Sequence, residues 1–86
     1  MAMYRIDIKP SAAKELAGLP VADQKRIASK IDALATNPRL EGSQKLAGAE
    51  DLYRIRSGDY RVIYQIQDRH LIVLVVRIAH RREVYR

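Results

Sequence analysis

The chain contains no cysteine, no tryptophan and no phenylalanine, and it has only two histidines. Without cysteine it can form neither a disulfide nor a thiolate metal site, and it has no cysteine nucleophile. The two histidines, His70 and His80, are too few for a typical zinc site, so we expect no metal and no cofactor. Any chemistry must therefore come from charged and hydroxyl side chains.

Long apolar segments are also absent. The longest run, 71–76, is far too short to span a bilayer, and the N-terminus lacks the apolar core of a secretory signal. With 48% apolar and 30% charged residues, the composition is typical of a soluble globular chain. We therefore expect one domain over residues 1–86, located in the cytoplasm and with no membrane partner.

The positive charge is concentrated in the second part of the chain. Residues 1–52 carry eight basic and seven acidic residues, whereas residues 53–86 carry eight arginines, no lysine and three acids. A local positive field favours a polyanionic partner, and the guanidinium fork suits phosphate because it donates two parallel hydrogen bonds. Nucleic acid is the leading partner. An anionic membrane is less favoured, because the basic stretch has a strand pattern and is not an amphipathic helix.

Three of these arginines surround a predicted β-hairpin. Apolar and polar residues alternate over 53–64, and the Gly-Asp pair at 58–59 is a recognised two-residue turn signal. The resulting register places Arg56 opposite Arg61, with Arg54 on the same side of the sheet, which we call the arginine face. Like charges opposite each other destabilise a sheet, so stability alone does not explain this pattern. A bound polyanion would explain it.

The periodicity over the whole chain predicts an α+β fold. We expect an N-terminal strand, a two-helix hairpin and a three-stranded antiparallel meander, in one mostly antiparallel sheet with the helices on one face. The predicted elements are a strand over 4–8, helices over 10–17 and 21–36, a loop over 39–51, and strands over 52–56, 60–67 and 70–79.

The last strand should be central, because residues 71–79 are apolar on both sides. We expect the N-terminal strand to pair with its free edge. The dipeptide at 68–69 is interpreted as a second tight turn, with Gln67 opposite His70. That register assigns Leu71, Val73 and Val75 to the helix face and places Ile78 and His80 on the arginine face.

Four segments together carry a family resemblance. They are Leu-Ala-Gly at 46–48, Leu-Tyr-Arg-Ile-Arg at 52–56, Gly-Asp-Tyr-Arg-Val-Ile-Tyr at 58–64 and His-Arg-Arg-Glu-Val-Tyr at 80–85. In this order, in a short basic chain, they resemble the RelE family of the RelE/ParE toxin superfamily. The resemblance implies a RelE-like fold and the toxin of a type II toxin-antitoxin system. It further implies a metal-independent messenger RNA endoribonuclease that works in the ribosomal A site, inhibits translation and is silenced by a cognate antitoxin.

The resemblance also implies roles for particular residues. It matches Arg54 and Arg56 to the basic residues of the first hairpin strand, Arg61 to the arginine after the turn, Arg81 to the basic residue near the end of the last strand, and Tyr85 to the terminal aromatic. The well-studied member has lysines at the first two positions and two more residues before its terminal aromatic. Both differences affect the mechanism.

Metal-free cleavage of RNA requires a proton acceptor for the attacking 2′-hydroxyl, stabilisation of the extra negative charge and a proton for the leaving 5′-oxygen. Arginine meets the second need, but its high pKa makes it a poor base. The proton acceptor is therefore His80, Tyr85 or a ribosomal group. The predicted catalytic residues are Arg61, Arg81, His80 and Tyr85, and the predicted RNA and phosphate ligands are Arg54, Arg56, Arg82 and Lys45.

Simpler interpretations stay open for some of these residues. The arginines could form a solvated strand face, and His80 could cap a strand end. Tyr53, Tyr60 and Tyr64 are expected in the core rather than as base-stacking platforms. Arg77 is expected to pair with an acid such as Glu15 or Asp32.

Two other functions compete with the nuclease. One is a ParE-like inhibitor of DNA gyrase, which would not hydrolyse RNA. The other is a non-catalytic RNA-binding member of the fold, in which arginine at positions 54 and 56 marks lost chemistry.

Overall fold

The computed structural model describes residues 3–48 and 50–83. In chain order the elements are β1 (Arg5–Ile8), α1 (Pro10–Ala17), α2 (Val21–Thr36), β2 (Gln44–Lys45), β3 (Leu52–Ser57), β4 (Tyr60–Gln67), a 3-10 turn (Asp68–His70) and β5 (Ile72–His80). The strands form one sheet in the order β1-β5-β4-β3-β2. Only the β1–β5 pair is parallel. Among the described residues, neither helix is long and apolar enough to cross a membrane.

The helices begin and end at local sequence signals. Pro10 occupies the first turn of α1, where a backbone N–H has no helical partner and its loss costs little. The side-chain amide of Gln24 in α2 donates to the backbone oxygens of Leu19 (2.7 Å) and Ala17 (3.2 Å), and so binds carbonyls at the end of α1. Helix α2 ends before Pro38, because a residue that precedes proline disfavours helical backbone.

The core lies between the two helices and one face of the sheet, as the α+β prediction requires. Its helical members are Ala12, Ile27, Ile31 and Leu34, and its sheet members are Ile55, Val62, Tyr64, Ile66, Val73, Val75 and Ile78. Tyr64 is fully buried and its hydroxyl donates to the backbone oxygen of Pro38 at 2.8 Å. Burial raises the pKa of the Tyr64 hydroxyl. Tyr53 and Tyr60 pack against this core, which confirms their predicted place.

Two predicted strand pairings are confirmed. The N-terminal strand β1 pairs with β5, and Ile6 lies opposite Val73. The first hairpin has the predicted register, with Arg56 opposite Arg61. Its turn residue Gly58 has a φ of +59°, a left-handed conformation that glycine adopts without a steric penalty.

The predicted loop over 39–51 contains a strand that the sequence did not reveal. β2 consists of two exposed residues, with Gln44 opposite Arg54 and Lys45 opposite Tyr53. A strand this short and exposed has no alternating apolar pattern to identify it. The sheet therefore has five strands, and β2 forms the edge beside the arginine face.

The second turn differs from the prediction. Gln67 lies opposite Ile72, so the predicted pairing of Gln67 with His70 is wrong. The chain passes through the 3-10 turn, and Leu71 adopts a left-handed φ of 54°. Leu71 is 40% exposed, which contradicts its predicted place on the helix face. No glycine follows Gly58 in the chain, so this connection lacks the residue that favours a two-residue turn.

The register of β4 and β5 shifts by one residue after Val75, and Val76 is the extra residue of this β-bulge. Ile78 therefore lies opposite Val62 on the helix face and is 3% exposed. Our prediction that Ile78 lies on the arginine face is wrong. A continuous ladder would place Arg77 opposite the fully buried Val62, so the bulge keeps a charge out of the core.

Candidate functional site

The arginine face lies opposite the helices, at the end of the sheet that the first hairpin turn forms. Arg56 is exposed and Arg54 is partly buried, whereas Arg61 is only 9% exposed. Arg61 lies opposite Ala79 of β5, and the small alanine leaves space beside the arginine. The three side chains are thus collected by strand register alone, as predicted.

Arg81 joins this cluster through the backbone. Its N–H donates to the backbone oxygen of Asp59 at 2.8 Å, and its carbonyl oxygen accepts from the Nη1 of Arg61 at 3.2 Å. The guanidinium of Arg81 lies 3.7 Å from the exposed carboxylate of Asp59. The end of β5 is therefore fixed against the hairpin turn and holds one guanidinium of the arginine face in position.

A shallow cavity of about 130 Å³ lies where these residues meet, and we call it the arginine cavity. It has space for roughly four water molecules, enough for a phosphate group. Three guanidinium groups and one carboxylate contribute to its wall, so its net charge favours an anion. It is lined by Arg56, Gly58, Asp59, Tyr60, Arg61 and Arg81.

Three further residues that were predicted to bind RNA or phosphate are not among the residues that line the arginine cavity. The guanidinium of Arg54 donates to the side-chain oxygen of Gln44 on β2. Arg82 is exposed just beyond β5. Lys45 lines a different cavity together with Glu50, so the structure does not bring it to the arginine cavity. The predicted catalytic residue Tyr85 lies outside the described residues.

The predicted orientation of His80 is wrong. The bulge in β5 places His80 opposite Tyr60, and opposite residues share a face, so His80 lies on the side away from Arg61. Its ring meets the Tyr60 ring edge-on, with 5.5 Å between the centroids. Its Nδ1 accepts a hydrogen bond from the backbone N–H of Arg82 at 3.2 Å.

A second polar cluster, which the sequence did not predict, lies at the opposite end of β4. The Asp68 carboxylate accepts two hydrogen bonds from Arg39, at 2.8 and 3.2 Å, and one from the Tyr4 hydroxyl at 2.6 Å. These bonds, chiefly those from Arg39, lower the pKa of Asp68 to about 2, and the bond to Asp68 raises the pKa of Tyr4. Arg39 also lies over the Tyr53 ring, 5.4 Å from its centroid. We call this the Asp68 cluster.

The prediction that Arg77 pairs with an acid such as Glu15 or Asp32 is confirmed, and the acid is Glu15. The Nε of Arg77 lies 3.5 Å from one Glu15 carboxylate oxygen, and the other oxygen accepts the Ile78 backbone N–H at 2.8 Å. Among residues 3–48 and 50–83, no three histidine or acidic side chains come close enough together to hold a metal ion. The arginines at the arginine cavity can bind an anion and stabilise negative charge.

Comparison with known proteins places this arrangement in a family. Residues 6–85 match the model of the family described as "ParE toxin of type II toxin-antitoxin system, parDE". The chain is 34% identical to the mRNA interferase toxin RelE of Escherichia coli K12, over 95% of this chain and 90% of that protein. It is 36% identical to the toxin RelE of Mycobacterium tuberculosis, over 96% of this chain and 87% of that protein.

Solved structures agree with the sequence relatives. RelE in the archaeal RelE-RelB complex from Pyrococcus horikoshii superposes with a TM-score of 0.84 at 32% identity, covering 95% of this chain and 99% of that one. A chain of the intact E. coli RelBE toxin-antitoxin complex gives a TM-score of 0.79 at 32% identity, covering 90% and 95% of the two chains. The five-stranded sheet beneath two helices is thus a fold that this chain shares with RelE toxins, and the chain belongs to the RelE family of the RelE/ParE toxin superfamily.

Proposed function

We propose that this toxin cuts messenger RNA in the ribosomal A site and so inhibits translation. The observation that carries the proposal is the arginine cavity, where Arg56, Arg61 and Arg81 converge around a space that fits one phosphate. The name of the E. coli relative, an mRNA interferase, supports the same substrate class. The reaction needs no metal, because the 2′-hydroxyl of RNA is the nucleophile.

Arg61 is the proposed stabiliser of the transition state. Its side chain is nearly buried and is held by the Arg81 carbonyl oxygen, so it is oriented before the substrate arrives. A fixed donor directed at developing negative charge contributes about 3 kcal/mol in comparable sites. The exposed guanidinium of Arg81 reaches the same phosphate from the other side of the cavity.

The remaining basic residues bind RNA without taking part in the reaction. Arg56 and Arg54 follow each other along the exposed face of β3 and can hold neighbouring phosphates of one strand. Arg82 extends the positive surface beyond β5. Lys45, in its separate cavity, is an outer contact that adds affinity.

The proton of the 2′-hydroxyl must leave as the 2′-oxygen bonds to phosphorus, and the 5′-oxygen must gain a proton as its bond to phosphorus breaks. A cyclic phosphate remains. His80 lies on the wrong face to take the first proton, and its Nδ1 already accepts from Arg82. We therefore assign proton transfer to Tyr85 or to a ribosomal group.

We further propose a cognate antitoxin as the partner that silences this chain in the cytoplasm. The solved complexes of RelE with RelB from Pyrococcus horikoshii and E. coli support this assignment. The excess of positive charge at the arginine cavity favours an acidic segment in that partner.

The test is cleavage of a defined message on purified ribosomes, read by primer extension. We expect the wild-type chain to cut in the A site and Arg61→Ala to cut about 100-fold to 1,000-fold more slowly. Equal cutting by both proteins would refute the site assignment, and intact message at doses that stop translation would refute the nuclease.

A second candidate is inhibition of DNA gyrase, which the description of the matching family model favours. Purified gyrase and relaxed plasmid would test it directly, since an inhibitor at micromolar concentration would block supercoiling. A third possibility, RNA binding without cleavage, predicts ribosome binding with intact message in the primer-extension assay.

A further inference from the structure

We propose that Glu15, on helix α1, is a positioning residue for the arginine cavity. This inference rests on the proposed function. Its basis is a contact between distant parts of the chain: the Glu15 carboxylate accepts the backbone N–H of Ile78 in β5 at 2.8 Å. The same carboxylate pairs with the Nε of Arg77 at 3.5 Å.

Glu15 contacts β5 just beyond the point where the pairing of β5 with β1 ends. β1 pairs with β5 only as far as Ile8 opposite Val75, and the N–H of Lys9 then donates to the Val75 oxygen at 2.9 Å. Beyond this point the chain turns into α1. The Glu15 side chain then supplies the acceptor that another residue of β1 would have offered to β5.

The contact falls directly after the bulge. Val76 is the extra residue, and Arg77 and Ile78 are the first two residues of the shifted register. Glu15 binds both of them, one through the guanidinium and one through the backbone N–H. Because a one-residue slip moves every side chain to the other face, the Ile78 bond selects the bulged register over the continuous one, and the solvent-exposed ion pair adds little to it.

The register of β5 against β4 at Ile78 determines which β5 side chain lies opposite Arg61. With the bulge, Ala79 faces Arg61, and the backbone of Arg81 reaches both the Asp59 oxygen and the Arg61 guanidinium. In a continuous ladder Ile78 would face Arg61, and its larger side chain would occupy the space that Ala79 leaves. Arg81 would also move one residue along β4. Glu15 therefore acts on the site only through β5.

Two substitutions separate hydrogen bonding from charge. Glu15→Gln keeps the side-chain length and an oxygen acceptor for Ile78 but loses the charge. Glu15→Asp keeps the charge but is one methylene shorter, so it withdraws the acceptor. Arg77→Ala is the matched control, because it removes the ion pair and leaves the Ile78 bond.

The measurement is single-turnover cleavage on ribosomes at increasing toxin concentration, which separates the saturated rate constant from the half-saturating concentration. We expect Glu15→Asp to lower the saturated rate constant at least tenfold while the half-saturating concentration changes less than about threefold, because misplacing catalytic groups costs rate rather than affinity. Glu15→Gln and Arg77→Ala should stay within about threefold of wild type in both.

Hydrogen exchange at the Ile78 amide is the second readout, and it does not depend on cleavage. We expect fast exchange in Glu15→Asp and protection in Glu15→Gln and Arg77→Ala. Retained activity in Glu15→Asp, or equal losses in Glu15→Gln and Glu15→Asp, would overturn the proposal. A wild-type chain that cuts no message would refute the proposed function, whereas the exchange pattern would still decide whether Glu15 holds Ile78.

Discussion

The two ends of strand β4 both carry clusters of arginine, tyrosine and aspartate, but their charges are balanced differently. At one end, Asp68 accepts hydrogen bonds from Arg39 and Tyr4, so the charges of the Asp68 cluster are matched within the chain. At the other end, three guanidinium groups line the arginine cavity, and Asp59 supplies the one carboxylate among the described residues that line it. The charges of the first cluster are balanced within the chain, whereas the lining of the second carries an excess of positive charge that favours an anion.

The difference indicates what each cluster contributes. The Asp68 cluster connects the start of β1, the segment after α2 and the turn before β5, which are distant in sequence, so its role is to hold the fold together. The arginine cavity concentrates like charges that repel each other at short range. Such an arrangement costs stability, and a bound phosphate would offset that cost.

Among the variants that compare the two ends of β4, the largest effect is expected when one arginine from each cluster is replaced by alanine. Arg81→Ala should lower the cleavage rate on ribosomes about 10-fold to 100-fold with little change in thermal stability, because its guanidinium is exposed. Arg39→Ala should lower the melting temperature and leave the rate within about threefold of wild type. Loss of cleavage in Arg39→Ala at a temperature where it is folded would contradict the division between the two ends.

A smaller effect, on the free energy of unfolding, is expected from a substitution in the hairpin turn beside the arginine cavity. Gly58 has a φ of +59°, so Gly58→Ala should cost about 1–2 kcal/mol of unfolding free energy through left-handed strain. Nothing lies within 4 Å of the added Cβ, so strain alone is tested. Gly58→Asn is the control, since asparagine tolerates this conformation better. Chemical denaturation measures both, and equal stability of the two variants would argue against backbone strain as the cause.

The same turn shows why part of the molecule was predictable. Gly58 fixes one register, so the cluster of Arg56 and Arg61 follows from local sequence. The bulge does not, because the contact that we propose to hold it comes from Glu15, which lies 63 residues from Ile78 in the chain. A local pattern contains no information about such a contact, and the errors at Ile78 and His80 both follow from the register shift at Val76. The error at Leu71 has another cause, the 3-10 turn that precedes β5.

The position of Lys45 could not be predicted either, because the sequence did not reveal strand β2. Lys45 was predicted to bind RNA without a strand to place it, and β2 then put it beside Glu50, away from the arginine cavity. The Asp68 cluster was equally unpredictable. It joins Tyr4 to Asp68 across 64 residues of sequence, and the turn that presents Asp68 is a 3-10 turn rather than the expected two-residue turn.

His80 provides a test of the face assignment. Because its ring lies against Tyr60 on the side away from Arg61, His80→Ala should change the cleavage rate less than about threefold and leave the pH-rate profile unchanged. Loss of one limb of that profile would make His80 the proton acceptor and would contradict the orientation described for the end of β5.

The smallest expected change in stability concerns the acidic pH range and the Asp68 cluster. The folded-state pKa of Asp68, about 2, lies below its ordinary value of 3.8, so the ionised carboxylate stabilises the fold above about pH 4 and this contribution is lost as the pH falls towards 2. Asp68→Asn should therefore destabilise the chain at pH 7. The cost should stay below about 1 kcal/mol, because the side chain is half exposed and solvent screens the pair.

Urea denaturation of wild type and Asp68→Asn between pH 7 and pH 2 measures this contribution, and the two stability curves should converge at the acidic end. Asp59→Asn is the matched control at the arginine cavity. Its carboxylate lies 3.7 Å from Arg81 and, within residues 3–48 and 50–83, accepts no side-chain hydrogen bond comparable to those at Asp68, so its loss should change stability less. If Asp59→Asn were the more destabilising variant, the Asp59 carboxylate would be a structural counterion of the arginines. That result would contradict our proposal that an external anion binds at the arginine cavity.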